Sequence, residues 1–153
     1  MFYSLVYHIC TAVTTQCALY LQVKNSGHWL EFDSENRFYI SEIKVPWATA
    51  SSICESKLGA FLATLRSQAE LDFLMKMFPA DGQQVFWLGG KRMKNGFVQW
   101  VNSEPWDFHP WSVMEGTSPC LALHAHSGTS SMLGEGKYFT QSCHIEYYFL
   151  CRK

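Results

Sequence analysis

The chain has 153 residues, a length that suits one domain, and its 48% hydrophobic and 16% charged content can build a core and excludes disorder. A formal net charge of -1 gives no overall excess that points to nucleic acid or to a charged membrane surface. Aromatic residues make up 16%, with six Trp and eleven Phe, which implies a core of large rings.

Charged side chains begin only at Lys24, His8 aside. The run from Phe2 to Val23 is apolar and is then broken by Thr14, Thr15 and Gln16, which reads as a signal peptide over 1–18 followed by one domain over 19–153. A basic n-region is missing, and a first β-strand is the bland alternative. As a membrane anchor the run is too polar from Thr14 to Cys17, so no span is expected in the mature chain. Cleavage fits after Ala12, Cys17 or Ala18.

Cysteines stand at 10, 17, 54, 120, 143 and 151, with no Cys-x-x-Cys pair to suggest a zinc ribbon or a thioredoxin site. Export makes disulfides the expected state. Loss of Cys10 and Cys17 with a leader leaves four cysteines and three possible pairings.

His28–Phe32 and Arg37–Ser41, separated by a polar Asp33-Ser34-Glu35-Asn36, predict a β-hairpin. Pro46 suits the first position of a helix, where a missing N–H costs nothing. Trp47, Ala50, Ile53, Cys54 and Lys57 follow at helical spacing, and Gly59 falls where a left-handed cap is wanted. Ser67-Gln68-Ala69-Glu70 is a capping box that opens a second helix. Leu71, Phe73, Leu74, Met77 and Phe78 form its apolar side, and Pro79 stops it. Val85–Gly90 is a buried strand, paired with Phe97–Trp100 across Lys94-Asn95-Gly96. Between Val101 and Pro119 lies a long loop anchored by Trp106, Phe108 and Trp111. Cys120–His126 and Tyr147–Cys151 read as strands. The class is α+β, with two helices segregated from antiparallel sheets.

These segments, in this order, resemble the C-type lectin-like domain. Trp47–Cys54, Leu58–Thr64 and Ser67–Glu70 look like the family's first helix, its Gly-Ala-x-Leu-Ala turn and its second helix. Trp87-Leu88-Gly89-Gly90 resembles the Trp-Ile-Gly-Leu strand. Trp100 to Trp111 resembles the Trp-x-Asp-Gly-x-Pro segment and the Trp that follows. Cys120–Ala125 and Tyr148–Cys151 resemble the Cys-Val-Ala-Leu strand and the Tyr-Ile-Cys ending. The resemblance implies a disulfide-stapled fold with Cys54 paired to Cys151 and Cys120 to Cys143. The extra N-terminal bridge of some members is not implied, because Asn25 and Arg37 stand where its cysteines would fall.

Sugar-binding members hold calcium with a Glu-Pro-Asn or Gln-Pro-Asp triplet and a Trp-Asn-Asp triplet, which suits an ion that takes about six to eight oxygens. Here the first interval keeps Glu115 but has Gly116 and Thr117 where Pro and the amide belong. The second triplet is replaced by Tyr138-Phe139-Thr140. Glu104-Pro105-Trp106 mimics the first triplet but precedes Trp111. The expectation is therefore no cofactor and no calcium.

His124 and His126 flank Ala125 on one strand face, an arrangement open to zinc but expected to be two half-exposed histidines without a third ligand. His144 and Glu146 repeat the spacing. No Gly-x-Ser-x-Gly elbow or other nucleophile context supports an enzyme.

The reading is a secreted, extracellular module that binds a protein or glycan ligand without calcium, with no catalysis and no nucleic-acid partner. One alternative is a calcium-dependent lectin with a divergent site. Another is a structural or toxin-like subunit of a disulfide-linked oligomer through Cys17. The candidate ligand-binding residues are Trp106 for apolar area, His109 as a polar handle and Glu115 as an acceptor, on the loop 102–119 beside Ser127–Lys137. Alanine at each is expected to leave the fold intact.

Overall fold

The computed structural model describes residues 27–78, 84–111, 117–126 and 135–153. Predicted features outside them include the leader with Cys10 and Cys17, Pro79, Glu115 and most of the Ser127–Lys137 stretch, residues 127–134. The described elements, in chain order, are β1 (Gly27–Glu31), β2 (Arg37–Ser41), α1 (Trp47–Leu58), β3 (Phe61–Leu62), α2 (Gln68–Met77), β4 (Gln84–Arg92), β5 (Val98–Trp100), β6 (Cys120–His126), β7 (Lys137–Gln141) and β8 (Tyr148–Arg152). The strands run β1-β2-β8-β4-β6-β7, with β3 added to β8 and β5 to β4. The predicted α+β class holds. One pair, β4 with β8, is parallel, which the sequence pattern does not reveal.

Period-two alternation divides the strands between two cores. Phe38, Ile40, Phe86, Leu88, Leu121, Leu123, Tyr138 and Leu150 turn to one, together with Leu71 and Leu74 of α2. Tyr39, Trp87, Ala122, Phe139, Phe149 and Cys151 turn to the other, together with Trp47, Ala50, Ile53 and Cys54 of α1. Both strand faces are therefore covered, which is why the strands read as continuous apolar runs. His124 shares this fate: it is buried, not half-exposed as expected, because its face of β6 is covered too.

Local signals position the helices. Pro46 is extended at φ -62 and ψ 156 and forms the N-cap, one residue before the helix it was expected to begin. Gly59 takes the left-handed cap at φ 58 and ψ 41. Ser67 caps α2, its hydroxyl accepting from the Glu70 N–H at 3.3 Å. The inward side of α2 is Glu70, Leu71 and Leu74, whereas Met77 is exposed and lines a cleft of about 180 Å³ with Ile40 and Phe86.

Long-range ties lock the frame. Cys54 is bonded to Cys151 and Cys120 to Cys143, the pairing that the family resemblance implies. The Trp87 Nε1–H donates to the Val45 carbonyl at 3.0 Å, and Trp47 Nε1–H to the Leu88 carbonyl at 2.8 Å. At Gly89 a Cβ would lie 2.5 Å from the Leu62 carbonyl oxygen, so only glycine lets β3 approach β4 this closely.

Candidate functional site on the long-loop face

The loop after β5 is anchored at its base before it reaches the surface. Asn102 Oδ1 accepts from the Glu104 N–H at 3.2 Å, and Ser103 between them is held at a left-handed φ of 64°. The Glu104 carboxylate accepts from Arg66 Nε at 2.7 Å and Nη2 at 2.9 Å, from Thr64 Oγ1 at 3.0 Å and from Asn102 Nδ2 at 3.0 Å. Arg66 holds the Glu104 carboxyl below its ordinary range, chiefly through these hydrogen bonds. Burial opposes the shift less strongly.

Beyond this clamp the loop lies against β7. Tyr138 N–H donates to the Pro110 carbonyl at 2.7 Å, and Trp111 bridges Tyr138 in parallel. Trp106 packs on Trp100 with centroids 4.6 Å apart, on Trp111 at 5.9 Å and on Tyr138 at 6.2 Å. His109 stands 6.0 Å from Trp106. The Tyr138 ring is fully buried beneath this group, while Trp106 and Trp111 are half-buried and His109 is exposed. Burial pushes the Tyr138 hydroxyl well above its usual range, with a smaller push from the Glu70 charge.

Two of the three predicted ligand residues, Trp106 and His109, are thus brought together; Glu115 lies outside the described residues. The surface is an aromatic step with one exposed imidazole, set on a rigid base. Such a step offers ring faces to apolar or C–H-bearing ligand surfaces, and His109 offers a hydrogen bond.

The described residues do not fit a calcium ion. The positions of the second expected triplet carry buried Tyr138, Phe139 and Thr140, without a carboxylate. At the base of the loop, Glu104 is already engaged by four donors, and Asp107, beside Trp106, is a single exposed carboxylate. Among the described residues, no group of three or more His, Cys, Asp or Glu is gathered for a metal. Sequence reasoning missed the Arg66–Glu104 clamp, since its partners stand 38 residues apart and the loop motif that takes in Glu104 carries no signal for its partner.

Comparison with known proteins gives the class to which this arrangement belongs. The family described as the lectin C-type domain matches residues 43–153, so the chain belongs to that family. A "Lectin" of Pleurodeles waltl is 26% identical over 123 residues, covering 74% of this chain and 67% of that protein. Regenerating islet-derived protein 3-gamma of Mus musculus is 26% identical over 115 residues, covering 69% of this chain and 64% of its own length. The chain therefore spans about two thirds of these relatives. A crystal structure of a calcium-independent type II antifreeze protein shares the fold, with a TM-score of 0.67 at 19% identity, over 82% of this chain and 90% of that one. Among the described residues no helix is long and apolar enough to cross a membrane.

Proposed function

We propose that this C-type lectin domain is an exported binding module that takes an extracellular protein or glycan ligand on its long-loop face without calcium. The observation that carries the reading is the half-exposed step of Trp106, His109 and Trp111 on a clamped base, where the neighbouring carboxylate of Glu104 is engaged by protein donors. Rigid scaffolds that present aromatic loop residues are a common basis for recognition. Calcium independence is supported by Tyr138, Phe139 and Thr140, which supply no carboxylate where the second triplet belongs. A structural neighbour described as calcium-independent shares the fold, though at that identity it speaks for the fold alone. Export is supported by the two disulfides, which persist in oxidising compartments, and by the apolar start over 1–18.

The test combines a glycan array, run with and without calcium, with thermal melting in millimolar Ca²⁺ or chelator. Ligand binding that survives chelator, with an unmoved melting temperature, is the expected result. Binding that disappears with chelator overturns the calcium-independent reading. N-terminal sequencing of material from the medium is expected to begin near Ala18; an intact Met1 in an intracellular pool overturns export.

A further inference from the structure

The whole-chain charge of -1 conceals a local imbalance. Residues 91–101 carry Lys91, Arg92 and Lys94 and no Asp or Glu, a formal +3, so the remaining 142 residues carry -4 (that is, -1 minus 3). These cations sit on the hairpin of β4 and β5. Its register pairs Lys91 with Gln99 and Arg92 with Val98, and Met93 N–H donates to the Phe97 carbonyl at 2.8 Å. Opposed residues of an antiparallel pair share a face. Val98 and Trp100 turn inward and are buried, so Met93, Phe97, Gln99 and Val101 turn outward.

The outward row is apolar where a hairpin tip is normally polar. Phe97 is 71% exposed, Met93 46% and Val101 44%. Phe97 is the most exposed large hydrophobic side chain among the described residues. The tip is also well formed. Gly96 N–H donates to the Met93 carbonyl at 2.9 Å, with Gly96 at a φ of 86°, and Arg92 Nη1 donates to the Gly96 carbonyl at 2.5 Å. An ordered turn therefore holds a bare aromatic ring outward beside an exposed lysine, with no carboxylate in the segment to neutralise it.

We infer that the β4–β5 hairpin tip docks on an anionic lipid surface, with Phe97 and Met93 entering the headgroup boundary and Lys94 meeting lipid phosphate or carboxylate. The charge selects this occupant. A purely apolar protein groove would be served by Phe97 and Met93 alone, whereas apolar side chains flanked by cations match the two layers of an anionic bilayer surface. Lys91 stands on the same outward face, its ammonium 5.3 Å from the Trp47 ring centroid, and extends the positive surface away from the tip.

Sedimentation of the full chain with vesicles tests this. One set is phosphatidylcholine alone, and the other contains about a third phosphatidylserine, enough to set a negative surface potential. The expected result is binding to the anionic vesicles, little to the neutral ones, and loss as salt rises. Phe97→Ser is expected to weaken binding about five- to tenfold by removing the inserting ring, and Lys94→Gln roughly fivefold. Both side chains are exposed, so both variants should keep the parent's melting temperature. Phe61→Ser removes another exposed ring away from the hairpin and is expected to change nothing. Any contribution from residues 1–26 is common to all four proteins and cancels. The inference is overturned if the parent ignores anionic vesicles, binds both sets equally, or loses as much affinity through Phe61→Ser as through Phe97→Ser.

Discussion

Arg152, in the last strand, and Glu70, in the first turn of α2, form a two-pronged ion pair at 2.8 Å and 2.9 Å with both side chains buried. Arg152 also donates to the Thr64 carbonyl at 3.1 Å and to Asn36 Oδ1 at 2.6 Å, and Glu70 Oε2 accepts from the Arg66 N–H at 2.7 Å. Removing one partner leaves the other charge in the core. Glu70→Ala is therefore expected to cost about 3–5 kcal/mol. Glu70→Gln, which keeps an acceptor for Arg66, should cost less. Urea midpoints at neutral pH measure both; a loss within error for Glu70→Ala would show that the pair is solvated in solution.

Glu70 also shows where the sequence stops being informative. Its place in the capping box is legible, because Ser67 and Glu70 are three residues apart and the Ser67 hydroxyl does receive the Glu70 N–H. The destination of its carboxylate is not, since Arg152 lies 82 residues away. Gly59 and the Trp87-Leu88-Gly89-Gly90 strand are legible for the same reason as the cap: the signal is local. Met77 fits the helical period yet lines a surface cleft, and His124 fits an alternating strand yet is buried. Periodicity assigns a residue to a face; what covers that face depends on topology. Of the candidate site, Trp106 and His109 were legible as loop aromatics, while the Arg66–Glu104 clamp beneath them was not.

That clamp makes stability depend on acid pH. With Arg66 bound, the Glu104 carboxyl titrates below its ordinary 4.5 in the folded chain. The folded state then binds this proton less readily than the unfolded state. The contribution is complete above the unfolded value and is lost as pH falls through the depressed folded one. Arg66 is half-exposed, so solvent screening limits the clamp to about 0.5–1 kcal/mol. Glu104→Gln is expected to flatten this part of the curve below pH 4.5. Curves of parent and variant that stay parallel there would remove the clamp as a cause.

Tyr138 makes the opposite case at alkaline pH. Its hydroxyl is buried and finds no hydrogen-bond partner among the described residues. A donor left unpaired in the core costs about 1–3 kcal/mol, so Tyr138→Phe should stabilise the domain by about 1 kcal/mol. Burial raises the folded value well above 10.0, so the unfolded chain ionises first. The contribution from keeping this hydroxyl neutral is full below that pH and declines as pH rises beyond it. In Tyr138→Phe that share of the alkaline loss should vanish. Destabilisation by more than about 1 kcal/mol would mean that the hydroxyl is paired after all.

Ser103 occupies the place of the glycine in the family's Trp-x-Asp-Gly segment, at a φ of 64°. A side chain in the left-handed region costs about 1–2 kcal/mol, partly offset by the greater freedom of glycine when unfolded. Ser103→Gly should therefore raise stability by about 0.5–1 kcal/mol, read as a higher melting temperature with unchanged ligand binding. A lower melting temperature would place the Ser103 side chain in a contact that outweighs the strain.

The binding assignment itself is tested at Trp106 and His109, and their different burial decides how. Alanine at both was expected to spare the fold. The packing corrects this for Trp106, whose ring rests on Trp100 at 4.6 Å and on Tyr138 at 6.2 Å. Trp106→Ala is expected to cost about 1–3 kcal/mol as a half-buried truncation, below the range for a fully buried ring. Lost binding in that variant would not separate contact from collapse. His109 is exposed and touches the step only from outside, so His109→Ala should leave the melting temperature within a degree or so of the parent, as surface changes usually do. Trp106→Phe keeps a ring on Trp100 while shrinking the outer face. Once a ligand is found on the array, His109→Ala and Trp106→Phe are each expected to weaken it about three- to tenfold, in the range of a lost hydrogen bond or partial ring contact. Two well-folded variants with the parent's affinity would move the ligand site off this step.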